Sequence, residues 1–145
     1  MNLNATTYSI YHKTCLPAVA RSLDASMLRS KAIANNIANV NTVGYERVEV
    51  KFEEDLKKAL NKSSIKGKKT KSRHLDMGRV SLEKVKPKAY KPEDPSLPSG
   101  VNNVDIDAEA AKLAETQILF NYGVRFMQQR NGAIFSSIKG VTQKF

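Results

Sequence analysis

Two stretches of the chain carry apolar residues at helical spacing, and they lie near its two ends. In the first, from Leu16 to Val40, apolar residues such as Leu23 and Met27 recur every three or four positions. Alanine is frequent along this stripe, so a neighbouring backbone can come close. Pro17 suits a first helical turn, and asparagine and glycine end the pattern by Gly44. The pattern predicts one helix of about 37 Å.

The second stretch repeats an apolar residue every seven positions. Its members are Ile106, Leu113, Phe120, Met127, Ile134 and Val141, while Ala110, Val124 and Ile138 fill the position four residues later. A sustained heptad predicts a coiled-coil seam, and we assign Leu113, Phe120, Met127 and Ile134 to it. Three glycines weaken this helix by about 1 kcal/mol each relative to alanine. A helix of this kind needs partners to be fully ordered.

Between the helices the pattern changes several times. Residues 46–52 alternate polar and apolar side chains, which predicts a short strand or an extended arm, and residues 53–60 favour a short helix. Residues 61–72 are rich in lysine, serine and glycine, so we expect disorder there. Residues 79–85 alternate again, and four prolines within 87–98 favour an extended path over regular structure.

These patterns predict a mainly α chain organised in three parts. Residues 1–44 form an N-terminal helical segment, and residues 101–145 form a C-terminal helix. Residues 45–100 form a basic, extended middle region with some β structure and partial disorder. Asp105 or Asp107 can cap the C-terminal helix, which we expect to run for roughly 52 Å to about Lys139.

The net charge of +10 belongs to one segment of the chain. Residues 56–91 hold eleven lysines and two arginines against two acidic residues, and the rest of the chain is nearly neutral. Such a run permits a nucleic-acid-binding protein as an alternative function. The segment has Tyr90 as its only aromatic residue and no recognisable recognition helix, which disfavours that alternative.

Candidate catalytic and metal-binding residues do not cluster in this sequence. His12 and His74 are far apart, and Cys15 is the single cysteine, which we expect to be a half-buried apolar residue. No glycine-rich loop follows a strand to hold phosphate. We therefore expect neither an enzyme, a metal nor a cofactor. We also expect no membrane span, because no apolar run approaches about 18 residues.

The most specific local signal lies across the end of the first helix. It comprises Asn35, Asn36, Ile37, Ala38, Asn39, Thr42, Gly44 and Tyr45. Amide side chains donate and accept hydrogen bonds at once, so they can satisfy backbone groups of a turn or of an adjacent subunit. On residue chemistry alone, a helix that simply ends in an Asn- and Gly-rich turn explains the stretch equally well.

This stretch, followed by Arg47, resembles the signature of the flagellar rod and hook axial protein family. Val43 replaces a common proline of that signature, and Asn35 replaces a common serine. Residues 70–75 resemble a segment of the B-type proximal rod subunits of the family. So does the helix-start motif, which comprises Asn102, Asn103, Val104, Asp105 and Asp107.

The resemblance implies a fold and a mechanical function. Members of the family pair their terminal helices as an antiparallel coiled coil and assemble helically into a rod that transmits torque and lines the export channel. The implied partners are further copies of the chain, other rod subunits, the adaptor protein that joins the rod to the membrane ring, and the flagellar type III export apparatus. The implied location is the periplasmic rod of the basal body, reached without a cleaved signal peptide. Another subunit of the flagellar axis is the nearest alternative.

Overall fold

The computed structural model describes residues 15–60, 82–94 and 100–140. Its elements are helix α1 (Leu16–Ala38), strand β1 (Glu49–Lys51), helix α2 (Glu53–Leu60), a 3-10 turn (Leu82–Lys84), strand β2 (Lys88–Tyr90) and helix α3 (Ile106–Lys139). At 1.5 Å per residue, α1 is about 34 Å long and α3 about 51 Å. The prediction of a mainly helical chain with two long terminal helices is confirmed.

The two long helices run antiparallel along each other. Asn36 at the end of α1 contacts Glu109 at the start of α3, and Leu23 further back contacts Gly123. A Cβ at position 123 would lie 3.0 Å from Leu23 Cδ2, so a small residue lets the helices approach there. The glycine that weakens α3 intrinsically therefore serves its packing.

Helix α1 turns a face of small residues toward the rest of the molecule. Leu16, Ala25, Ser26, Ala32, Ile33 and Asn36 are buried. Pro17 occupies the first turn, as predicted. Met27 is 62% exposed, however, since two residues after Ala25 the helix has turned to its outer side. Cys15 is also exposed, which corrects the expectation of a half-buried residue.

Helix α3 contacts α1 along a line displaced from the centre of the apolar repeat. The residues three positions after the repeat members, Glu109, Thr116 and Gly123, are central to the contact, and the first two are only 1% and 2% exposed. The seam residues Leu113, Phe120, Met127 and Ile134 are half-buried. At the two ends of α3, the repeat member Ile106 is 50% exposed and Ile138, four positions after Ile134, is 70% exposed. The apolar stripe is thus wider than the surface that α1 covers.

A small β ribbon and α2 pack against the middle of α1. Strands β1 and β2 pair antiparallel, with Glu49 opposite Tyr90, Val50 opposite Ala89 and Lys51 opposite Lys88. A cluster of Ala25, Phe52, Ala59 and Val85, with Leu56 and Leu82 at its margin, joins them to α1. The predicted strand within residues 46–52 and the short helix at residues 53–60 are both confirmed.

The structure corrects the assignment of the second alternating stretch. Residues 82–84 form a 3-10 turn, and the strand that pairs with β1 is Lys88–Tyr90, inside the proline-rich stretch. Pro87 and Pro92 flank this strand without lying in it, so neither removes a hydrogen bond of the ladder. The expected disorder at 61–72 and the two histidines fall outside the described residues.

Among the described ranges, no helix is long and apolar enough to cross a membrane.

Candidate functional site

The signature residues build a tight turn after α1. The backbone N–H of Asn39 donates to the carbonyls of Asn35 and Asn36, and its side-chain Nδ2 donates to Asn35 O at 2.8 Å. Thr42 Oγ1 lies 3.2 Å from Asn39 Oδ1 and donates to it. Gly44 has φ of 72°, a left-handed conformation that favours glycine. The turn redirects the chain from α1 toward β1.

Asn36 is the centre of the site because its side chain is fully buried and uses all of its hydrogen-bonding capacity. Its Nδ2 donates to Val48 O at 3.0 Å and to Glu109 Oε2 at 2.8 Å. Its Oδ1 accepts from the N–H of Val48 at 2.9 Å and from the hydroxyl of Tyr45 at 3.1 Å. One amide therefore joins α1, the signature turn, the entry to β1 and α3.

Glu109 brings a carboxylate to the point where the end of α1 meets the start of α3. The side chain is 1% exposed, so its partners must replace water. Besides the amide of Asn36, it accepts from Lys112 Nζ at 3.1 Å. Lys112 in turn lies 3.2 Å from Glu49 Oε1 on β1, which extends the network to the ribbon.

The helix-start motif holds the other side of the same turn. Nδ2 of Asn102, a buried side chain, donates to the carbonyls of Asn39, Val40 and Thr42 at 2.9–3.0 Å. Asn102 Oδ1 accepts from the N–H of Val104 at 2.9 Å. Three carbonyls of the turn after α1 are thereby bonded by a residue 60–63 positions further along the chain.

Two further residues of the motif begin α3 and position the ribbon. Asp105 is the N-cap, and its side chain accepts from the backbone N–H groups of Asp107 and Ala108, as the sequence predicted. Asn103 Oδ1 accepts from the N–H of Arg47 at 2.8 Å. The guanidinium of Arg47 then pairs with Asp94 at 3.2 Å, which fixes the segment after β2.

Glu49 and Tyr90 form the outer part of this network. The Tyr90 hydroxyl donates to Glu49 Oε2 at 2.7 Å, and the bond to this carboxylate raises the pKa of the tyrosine. Burial raises the pKa of Glu49, but the hydrogen bonds from Tyr90 and Lys112 outweigh it and leave that pKa below its usual range. For Tyr45, burial first and Glu109 second raise the pKa of the phenol. Each shift favours the protonation state present at neutral pH.

The structure brings the signature and the helix-start motif together into one polar junction between α1 and α3. From here on, the polar junction denotes Asn36, Tyr45, Arg47, Glu49, Tyr90, Asn102, Asn103, Glu109 and Lys112. Of the other signature residues, Ile37 is half-buried, and Asn35 and Ala38 are exposed. The seam residues lie further along α3, outside the junction.

Sequence reasoning missed the charged members of the junction. Glu109 lies near the predicted start of the C-terminal helix, three residues before Lys112 and on the face of α3 that meets α1. A carboxylate on a helix face that must pack is the signal that would have found it. Within the described ranges, no cluster of three or more histidine, cysteine or acidic residues is arranged to hold a metal.

Comparison with known proteins identifies the family. The model of the family described as flagella basal body rod protein matches residues 23–45, which include the signature. The chain is 32% identical over 120 residues to the flagellar basal body rod protein FlgB of Bacillus subtilis, covering 83% of this chain and 86% of that protein. It is 31% identical over 105 residues to FlgB of Borreliella burgdorferi and 35% identical over 108 residues to FlgB of Borrelia hermsii, in each case covering 70% of this chain and 78% of the relative. The resemblance noted in the sequence is confirmed, and the chain belongs to the FlgB family of flagellar basal body rod proteins.

Proposed function

We propose that the chain is a structural subunit of the proximal rod of the bacterial flagellar basal body. Copies assemble helically, transmit torque along the rod and line the export channel. Membership of the FlgB family supports the structural role. The observation that carries the assembly mechanism is the apolar stripe of α3, which is wider than the surface that α1 covers.

The uncovered part of α3 is a packing surface. On one flank Ile106, Phe135 and Ile138 are 50–70% exposed, and on the other Ile118, Leu119 and Tyr122 are 53–72% exposed. Large apolar side chains on both flanks of one helix are unusual for a chain that works alone. A heptad repeat that is only half covered by its own partner helix suits a second helix on its open side. We assign that second helix to a neighbouring subunit, with Leu113, Phe120, Met127 and Ile134 shared between the two contacts.

The polar junction gives each subunit a defined geometry. Its hydrogen bonds are directional, so they set the register between α1 and α3, whereas apolar packing alone tolerates sliding. Subunits in a helical assembly must present the same surface at each step. In this proposal the signature residues act within the subunit, by fixing the shape that is then repeated.

The proposed partners are further copies of the chain, other rod subunits and the adaptor protein between the rod and the membrane ring. The proposed location is the periplasmic part of the basal body, reached through the flagellar type III apparatus without cleavage of a signal peptide. Residues 1–44 and 101–145 make the helical domain of the assembly, and residues 45–100 make a basic middle region. Family membership supports these assignments.

The test replaces one exposed apolar residue of the stripe. Ile138→Ser removes an apolar side chain that is 70% exposed, and Leu60→Ser makes a comparable change at the end of α2, where the residue is 44% exposed. We expect Ile138→Ser to leave the unfolding midpoint of the isolated chain unchanged. We also expect it to abolish self-association in sedimentation velocity and to reduce swarming of cells that depend on this chain.

Leu60→Ser serves as the control and should change neither the self-association of the chain nor the swarming of the cells. If Ile138→Ser associates and supports swarming like the parent chain, α3 does not pack in the proposed manner. If Leu60→Ser is as defective as Ile138→Ser, the effect is not specific to the stripe.

A further inference from the structure

The two outer edges of the β ribbon differ. The outer edge of β1 is covered by side chains of α1: Asn36 bonds both backbone groups of Val48, and Arg29 Nη2 lies 3.5 Å from Val50 O. The outer edge of β2 receives no hydrogen bond from any residue in the described ranges. An uncovered edge is a template for pairing with another chain.

The direction of the backbone groups on β2 follows from the pairing. The backbone N–H and C=O groups of successive residues point to opposite sides of a strand. Those of residues 48 and 50 point toward α1, so those of residues 49 and 51 point toward β2. By register, Lys88 and Tyr90 face β1. Ala89 between them therefore directs its N–H and C=O outward, and its side chain is exposed.

Lys88 on β2 lies opposite Lys51 on β1, so two lysines face each other across the ribbon. Lys51 and Lys88 are a directly opposite cross-strand pair, and both are exposed. Like charges in this arrangement are destabilising. The ammonium of Lys51 lies 4.2 Å from the centre of the Tyr90 ring, and neither lysine has a carboxylate within ion-pair distance in the described parts of the chain.

The carboxylates nearest to this pair already have cationic partners. Glu49 pairs with Arg47 and Lys112, each at 3.2 Å, and Glu46 pairs with Lys91 at 2.9 Å. The described fold therefore brings no carboxylate to the two lysines, and both are exposed to one from a partner. The lysine excess of residues 56–91 points the same way.

We infer that the outer edge of β2, with Lys51 and Lys88 beside it, is a docking site for an extended, carboxylate-rich segment of another protein. The segment adds a strand to β2 through the backbone groups of Ala89. Alternate residues of an added strand lie on the face that carries the lysines, so glutamate or aspartate at every second position meets them. The outward N–H and C=O favour a peptide over a nucleic acid or a lipid surface, which offer negative charge without a backbone to pair.

The first test measures binding of a fluorescein-labelled peptide of alternating glutamate and threonine to the full chain by fluorescence anisotropy. Lys51→Gln with Lys88→Gln should weaken binding about tenfold, the effect of losing two ion pairs next to a strand contact. Lys57→Gln with Lys58→Gln removes the same charge from exposed positions of α2 in the same basic segment and is the matched control. The control should change the affinity less than about twofold.

The second test separates strand addition from simple charge attraction. Ala89→Pro removes the outward N–H and keeps every lysine, and proline is tolerated on an edge strand where its N–H faces solvent. It should weaken peptide binding about as much as the lysine pair does, with an unchanged circular dichroism spectrum. Duplex DNA and phosphatidylglycerol vesicles, offered as alternative probes, should bind the parent chain and Ala89→Pro equally.

Three results would overturn the inference. Equal losses in the two lysine double variants would mean non-specific attraction to the basic segment. Unchanged peptide binding by Ala89→Pro would exclude strand addition. Binding of DNA or vesicles that depends specifically on Lys51 and Lys88, without peptide binding, would replace the proposed partner by a polyanion. These measurements use the isolated chain, so they do not depend on assembly through α3.

Discussion

The two ends of the paired long helices are held by different kinds of interaction. At the polar junction, the end of α1 and the start of α3 share buried hydrogen bonds, centred on Asn36 and Asn102. At the opposite end, Leu16 and Ile134 line an open, mainly apolar groove of about 570 Å³, and Ile138 is mostly exposed. One end is closed by buried hydrogen bonds, while the other leaves apolar surface uncovered.

The difference shows how one helix pair can be both specified and adaptable. A buried amide with four partners is satisfied in one geometry only, so the junction fixes the helices where they meet. Apolar contact is non-directional, so the open end can repack against a neighbour. In the proposed rod subunit, the junction supplies a constant shape, and the open end supplies contact area.

The largest effect is expected at the junction. Asn36→Ala leaves the N–H of Val48, the Tyr45 hydroxyl and the buried carboxylate of Glu109 short of a partner. We expect a loss of about 3 kcal/mol in the free energy of unfolding, measured by urea denaturation, because an underbonded buried charge is costly. The backbone amide of Val48 should also lose protection against hydrogen exchange.

Asn35→Ala is the matched control for this variant. The Asn35 side chain is exposed on the neighbouring helical position, so the same change there should alter stability by less than about 0.5 kcal/mol. Comparable losses in the two variants would mean that the junction does not hold the helices more firmly than any other part of α1.

The sequence predicted the long helices because periodicity and caps are local signals. Spacing gave the heptad of α3 and its end near Lys139, and residue type gave a cap at Asp105 or Asp107, of which the structure uses Asp105. The displacement of the contact line from the centre of the repeat could not be predicted from the sequence, because the junction decides which side of α3 meets α1. The strand at Lys88–Tyr90 was missed because three residues between prolines carry no measurable period, and only their pairing with β1 makes them a strand.

Only part of the junction could be predicted from the sequence, for a similar reason. The unusual density of asparagine at the end of α1 drew attention to the stretch that contains Asn36 and Tyr45, and the resemblance to a family added the helix-start motif. What each amide bonds could not be read from the sequence, since Asn36 and Glu109 are 73 positions apart. Charged partners such as Glu49 and Lys112 look like ordinary surface residues until the fold brings them together.

A smaller effect, and one that depends on pH, is expected at the outer part of the junction. Tyr90→Phe removes the donor to Glu49 and should cost about 1 kcal/mol at pH 7. Glu49 has a lowered pKa when folded, so its contribution is present above the unfolded pKa and is lost as the pH falls through the folded value. Tyr90 has a raised pKa, so its contribution is present below about pH 10 and is lost as the pH rises through the folded value.

Urea denaturation across pH 3 to 11 tests both signs. In Tyr90→Phe the acid loss should become shallower, because Lys112 and Arg47 then hold the Glu49 carboxylate without the tyrosine hydroxyl, and the alkaline loss should shrink to the part that Tyr45 contributes. Tyr122→Phe, at a side chain that is 72% exposed, should leave the parent profile unchanged. A Tyr90→Phe profile identical to that of the parent chain would remove Tyr90 and Glu49 from the junction.

The smallest effect is expected at the open end. It is measured by making the same substitution at a buried position of α1 and at a position that lines the open groove. Ile33 on α1 is 3% exposed, and Ile33→Ala should cost about 3 kcal/mol, as large-to-small changes in a closed core do. Ile134 is half-buried and lines the groove, so water already reaches its surroundings, and Ile134→Ala should cost the isolated chain about 0.5 kcal/mol. Equal costs in urea denaturation would show that the open end is packed as tightly as the rest. A small cost for Ile134→Ala together with weakened self-association in sedimentation velocity would show that this side chain stabilises the contact between subunits more than it stabilises the fold of a single subunit.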